Sequence, residues 1–111
     1  MPIYITQGRY TRDAIKGMIV KPEDRADIVA RLLSKIGGRL LGYYLTFGEH
    51  DFLAIAEAPS DVQMAAAVLA VGSGGGVTEL RTTVAMTSVE AKSAFAAASD
   101  LVPSFKSAGG T

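Results

Sequence analysis

Residues 39–59 read RLLGYYLTFGEHDFLAIAEAP. Two apolar runs, RLLGYYLTF and DFLAIAEA, flank a short polar tip of Gly48, Glu49, His50 and Asp51. Strand-forming runs on either side of a tip that carries glycine and aspartate predict an antiparallel hairpin. If Phe47 lies opposite Phe52, then Leu41, Tyr43, Leu45, Phe47, Ala54 and Ala56 share one face, and Leu40, Tyr44, Thr46, Leu53, Ile55 and Glu57 share the other. Both faces are largely apolar. A sheet packed on one side only alternates apolar with polar residues, so this hairpin is expected to have something packed against each of its faces.

The segments around the hairpin complete a simple order. Upstream, PIYITQGRY alternates its isoleucines with Tyr4 and Thr6 and reads as a strand, and Thr11 caps a short helical turn through Met18. KPEDRADIVARLLSKIGG carries Pro22 in a first turn, acids at its start and a Gly37-Gly38 stop. Ile28, Val29, Leu32, Leu33 and Ile36 recur at helical spacing as its buried face. Glu23, Asp27, Arg31 and Lys35 follow at intervals of four on the solvated side.

Downstream of Pro59, Ser60 and Gln63 form a capping box before MAAAVLAV, an alanine-rich helix that is apolar almost all round and therefore expected to touch neighbours on more than one side. GSGGG ends that helix. It precedes a strand rather than a helix and lacks a lysine, so it is not a phosphate loop. VTELRTTVAMT supplies a fourth strand, Thr87 and Glu90 form another capping box before SVEAKSAFAAASDLV, and PSFKSAGGT reads as a loose tail. The order strand, helix, strand, strand, helix, strand predicts an α+β ferredoxin-like βαββαβ sandwich, with a four-stranded antiparallel sheet and two helices on one face. Residues 1–88 form that domain and residues 89–111 a C-terminal helix and tail. The uncovered apolar face predicts a second copy of the chain laid sheet to sheet, in a dimeric α/β barrel arrangement or a higher homo-oligomer.

Composition narrows the functional classes. The chain has 111 residues, 49% hydrophobic and 20% charged, which is a globular balance for one domain. It has no cysteine, and this excludes disulfides, thiolate metal sites and cysteine nucleophiles. Eleven basic and eleven acidic residues cancel, so no nucleic-acid partner is expected, although Arg9, Arg12, Lys16, Lys21, Arg25, Arg31, Lys35 and Arg39 crowd the first forty positions. No secretory signal is visible and no run is apolar enough to span a bilayer; a cytoplasmic protein with no membrane partner is the expectation.

Three stretches carry a resemblance: MPIYITQGRYT, RADIVARLLSKIGGRLLGYYLTFGEHDFLAIAEAPSD and GGGVTELRTTVAMT. Together they resemble the GYD domain family over nearly the whole chain to about residue 88. The glycine, tyrosine and aspartate that name the family correspond here to Gly48, His50 and Asp51, so histidine stands where the tyrosine is expected. The resemblance implies a dimeric α/β barrel fold and assigns no activity. The order of elements and the glycine-to-aspartate hairpin are also similar to the effector-binding domain of the Lrp/AsnC feast-famine regulators. That likeness implies small molecules, such as amino acids, at subunit interfaces, and a stand-alone effector module in a sequence with no helix-turn-helix.

Four residues are candidates for ligand contact. Tyr43 and Tyr44 place one phenol on each face of the hairpin, and Tyr44 is the one offered to a ligand or an interface. His50 is a general base, a metal ligand or a solvated turn residue, and Asp51 a cation ligand together with Glu49 or the anchor of a turn in which Gly48 adopts a positive φ. Glu57, on a mostly apolar face, pairs across a subunit boundary with Arg81 or Arg39 or serves as an acid or base toward a ligand. Glu49, His50 and Asp51 are consecutive and diverge, so neither a metal nor another cofactor is expected. Three functions follow: an oligomeric binding or accessory protein for a small apolar or amphipathic molecule held between sheet and helices or at the subunit interface; a cofactor-free monooxygenase or isomerase in which His50, Glu57 or a tyrosine handles protons; and a structural assembly module. The first is favoured, because the sequence has surfaces to bury and no convergent catalytic set.

Overall fold

The computed structural model describes residues 1–110. Its elements are β1 (Ile3–Tyr10), α1 (Arg12–Val20), α2 (Arg25–Ser34), β2 (Arg39–Leu45), β3 (Phe52–Glu57), α3 (Asp61–Ser73), β4 (Val77–Ala85) and α4 (Ser88–Leu101), followed by a 3-10 turn, Val102–Ser104. All strand pairs are antiparallel and the spatial order is β2-β3-β1-β4, the ferredoxin-like arrangement. Thr111, the last residue of the expected tail, lies outside the described residues.

Local chemistry sets the helix ends. The Thr11 side chain accepts from the Ala14 N–H, so the expected short turn is a full helix that runs two residues beyond Met18. α2 begins later than its proline suggested: Asp24 is the cap and accepts from Ala26 N–H, which leaves Pro22 and Glu23 outside. With Glu23 displaced, the four-residue charge ladder does not form. Glu23 pairs instead with Arg25 at 3.1 Å. Two glycines stop α2 for different reasons. Gly37 adopts φ +75°, where a side chain is penalised, and at Gly38 a β-carbon would lie 2.4 Å from the Glu57 carbonyl oxygen. Ser60 caps α3, and Thr87 with Glu90 closes the reciprocal capping box of α4.

The hairpin keeps the expected parity but not the expected register. Leu45, not Phe47, lies opposite Phe52, and Phe47 is almost fully exposed in the loop. A bulge between Leu40 and Gly42 then turns Leu40 to the Ala56 side, where it packs on the core rather than on the opposite face. The core lies between the sheet and the helices: Tyr4, Leu33, Ala56, Ala58 and Met64 are buried, with Val29, Ile36, Leu40 and Val68 against them. The Tyr4 hydroxyl, at the bottom of this core, donates to Asp61 Oδ1 at 2.5 Å and ties β1 to the start of α3.

The other face of the sheet has no helix. Ile3, Ile5, Leu53 and Ile55 are half-buried there by their own neighbours, and Tyr44 is exposed. α4 is exposed along its length and its principal neighbour is the 3-10 turn that follows it. This projection accounts for a radius of gyration of 18.0 Å, against about 13 Å for a compact chain of this size. Val89, Phe95 and Leu101 on α4 are exposed apolar side chains.

Candidate functional site

Between the sheet and the helices lies a half-open apolar cavity of about 210 Å³. Its floor is the inner face of the sheet, Thr6, Tyr43, Phe52, Ala54 and Ala56, and its walls are α2 through Ile28, Val29, Leu32 and Leu33 and α3 through Met64, Ala67, Val68 and Val71. The space has a simple origin. Sheet and helices pack about 10 Å apart, and the alanines at 54, 56 and 67 are too short to fill that gap. The α2 residues expected to form a buried face therefore point inward as read, and four of them, Ile28, Val29, Leu32 and Leu33, border the cavity, Val29 and Leu33 while also packing in the core.

Polar groups in the wall are few. Thr6 is buried and shares a 3.0 Å hydrogen bond with the Thr82 hydroxyl. Arg25 is the one cation among the lining residues, and none of them is a carboxylate or an imidazole. Its side chain is 30% exposed, which places it at the mouth. Tyr43 stacks on Phe52 with ring centroids 5.7 Å apart and planes 6° from parallel, Tyr10 packs on the same ring at 5.2 Å, and the two tyrosine hydroxyls are hydrogen-bonded to each other. Burial raises the Tyr43 phenol above its ordinary pKa and the bond to Tyr10 adds to this; Arg25 pulls weakly in the other direction. Tyr43 therefore stays protonated at neutral pH and presents a hydroxyl rather than a phenolate.

None of the four candidate residues lines this cavity. Tyr44 stands on the open face of the sheet. Glu57 shares that face near the opposite end of the hairpin and pairs within the chain with Arg39, its register partner, at 2.6 Å. His50 borders a second, polar hollow with Arg9, Glu49, Glu79 and Arg81. Asp51 is a structural anchor, though not of its own turn: its Oδ2 accepts the Tyr10 N–H at 2.9 Å, and its own N–H donates to the Gly8 carbonyl at 2.8 Å. The turn itself is closed by Thr46, whose N–H donates to Asp51 O and whose hydroxyl donates to His50 O, with Gly48 at φ +137°. Of the two hairpin tyrosines it is Tyr43, not Tyr44, that lines the cavity, and Arg25 and Phe52 were not singled out as a site from sequence. The only signal for them was compositional, a pair of alanine-rich segments opposite one another.

The ferredoxin-like sheet with helices on one face and a cavity beneath them defines the class of domain. The chain belongs to the GYD domain family, whose model matches residues 4–95. No curated protein matches the sequence. Among solved structures it is similar to TTHA0845 from Thermus thermophilus, with 15% identity over 78% of this chain and 95% of that one, at a TM-score of 0.52. It is also similar to MtbAldR, with 12% identity, 78% of this chain covered and a TM-score of 0.52. The chain spans about half of MtbAldR, 52% of its length. At these identities the likeness is one of fold.

Proposed function

We propose that this protein is a homo-oligomeric binding protein that holds a small, largely apolar molecule between its sheet and its α2 and α3 helices. The observation that carries the reading is the 210 Å³ cavity with apolar walls. An apolar cavity of about 150 Å³ accepts a benzene ring, and one too large to collapse costs stability until something fills it. Binding is favoured over proton-transfer chemistry because the wall offers no carboxylate or imidazole, and its one phenol is held protonated.

Assembly belongs to the same reading. Four strands at about 4.8 Å spacing and six residues at about 3.3 Å rise give the open face a projected area of roughly 400 Å². That is at the limit of what a monomer tolerates and about half of the ~800 Å² per partner of a standard interface. Tyr44 and the Arg39–Glu57 pair lie on this face and become interface residues, and the exposed apolar side chains of α4, Val89, Phe95 and Leu101, are available for the remainder.

Native mass spectrometry of the purified protein tests both parts. The expected result is a mass of at least twice 11.6 kDa with a retained small molecule that is lost in Ala67→Leu, which fills the cavity from α3. A monomer defeats the assembly, and retention unchanged by Ala67→Leu defeats the cavity.

A further inference from the structure

The cavity has a chemical polarity that its volume alone does not describe. Apart from Thr6, whose hydroxyl is shared with Thr82, it is lined by apolar side chains and by Arg25 and Tyr43, the lining residues that carry further hydrogen-bond donors. A guanidinium has five N–H donors, and the Glu23 carboxylate engages Arg25 through Nη1 at 3.1 Å, so donors remain. Burying the apolar part of a ligand while leaving its acidic end on Arg25 satisfies both regions, whereas an ammonium end would meet a cation.

We propose that the ligand of this cavity is an amphipathic monocarboxylate, its apolar body of about eight carbons enclosed between sheet and helices and its carboxylate on Arg25 and Tyr43. This rests on the cavity being the ligand site, as proposed above. The size follows from proportion: a benzene ring occupies about 150 Å³ of apolar cavity, so 210 Å³ holds roughly eight carbons. The charge follows from the lining, which has one cation and no carboxylate. A planar carboxylate matches the guanidinium fork, and because Glu23 already engages Nη1, the donors that remain on this single arginine serve one acid group and no more. Tyr43, protonated at neutral pH, serves as a second donor, and its oxygen then accepts the hydrogen bond from the Tyr10 hydroxyl.

The test is a titration of the full chain, freed of any retained molecule by reversible unfolding, with octanoate, octanol and octylamine by calorimetry at pH 7. Octanoate is expected to bind at least tenfold more tightly than octanol, and octylamine least. Arg25→Met is expected to erase the preference for octanoate and leave octanol unchanged, with circular dichroism confirming the fold. Ala67→Leu is expected to weaken octanoate and octanol alike. Equal binding of octanoate and octanol to the wild type, both sensitive to Ala67→Leu, would overturn the carboxylate and leave the cavity reading intact. A preference for octanoate that survives Arg25→Met would overturn the assignment to Arg25. Absence of binding by all three probes would overturn the cavity reading itself, and this inference with it.

Discussion

Replacing Asp51 by alanine removes the acceptor that holds β1 to the hairpin tip. In the folded chain its Oδ2 takes the Tyr10 N–H at 2.9 Å, and Arg9 Nε lies 4.0 Å away. The ion pair adds little, because Arg9 is half exposed and shared with Glu79 at 3.7 Å. The hydrogen bond carries the effect: one charged acceptor on a part-buried backbone donor is worth about 1.5–3 kcal/mol, and alanine leaves Tyr10 N–H without a partner. Asp51→Ala is therefore expected to lower stability by about 1.5–3 kcal/mol, which for a domain of about 100 residues moves Tm by roughly 6–12 °C. Asp51→Asn keeps a carbonyl acceptor and should recover about half of the loss. His50→Ala, a neighbouring change whose imidazole makes no hydrogen bond among the described residues, should stay within about 0.5 kcal/mol. Urea melts give the free energies, and hydrogen exchange at the Tyr10 amide reports the bond itself. A loss in Asp51→Ala no larger than the ~0.5 kcal/mol typical of surface positions, with Tyr10 exchange unchanged, would refute the anchoring role.

Three further outcomes follow from other parts of the fold. Glu79 sits at φ +52° opposite a shift in the β1–β4 register, a position that costs a residue with a β-carbon about 1–2 kcal/mol, so Glu79→Gly should be neutral to about 1 kcal/mol stabilising and Glu79→Val destabilising in the same urea melts. The Tyr4 phenol is raised by its bond to Asp61 and the Tyr43 phenol by burial; their contributions are complete below the ordinary phenol value of about 10 and are lost as pH rises through the raised ones. Spectrophotometric titration, compared with Tyr4→Phe and Tyr43→Phe, should then show both phenols ionising above the ordinary value in the folded protein, and ionisation of either at about 10 would contradict this. A chain ending at Thr87 should keep the fold of residues 1–87, because α4 packs chiefly on the turn after it, but lose subunit association as Phe95 is removed; an unchanged oligomeric state by native mass spectrometry would take α4 out of the interface.

Where an interaction spans a few residues, it could be read directly from the chain. Thr11, Ser60 and the Thr87–Glu90 box cap the helices that follow them, because a cap needs only a side chain and an amide two or three positions on. The βαββαβ order and the inward stripe of α2 were legible for the same reason, since periodicity is local. The positive φ of Gly48 was legible from the tip alone. What tertiary structure decided was which distant groups meet. The hairpin register shifted by two residues and a bulge reversed Leu40, because pairing is set by the fit of both strands against β1 and α2 rather than by a symmetric reading of the loop. Asp51 found Tyr10, 41 positions away, and Tyr4 found Asp61, 57 positions away, neither with any local sign. The candidate site escaped for a further reason: His50, Asp51 and Glu57 attract notice through their chemistry, whereas the cavity is made by what is missing beyond the β-carbons of Ala54, Ala56 and Ala67. A void exists only between surfaces, so three alanines on two separate elements define a site only once the sheet and the helices have been brought face to face.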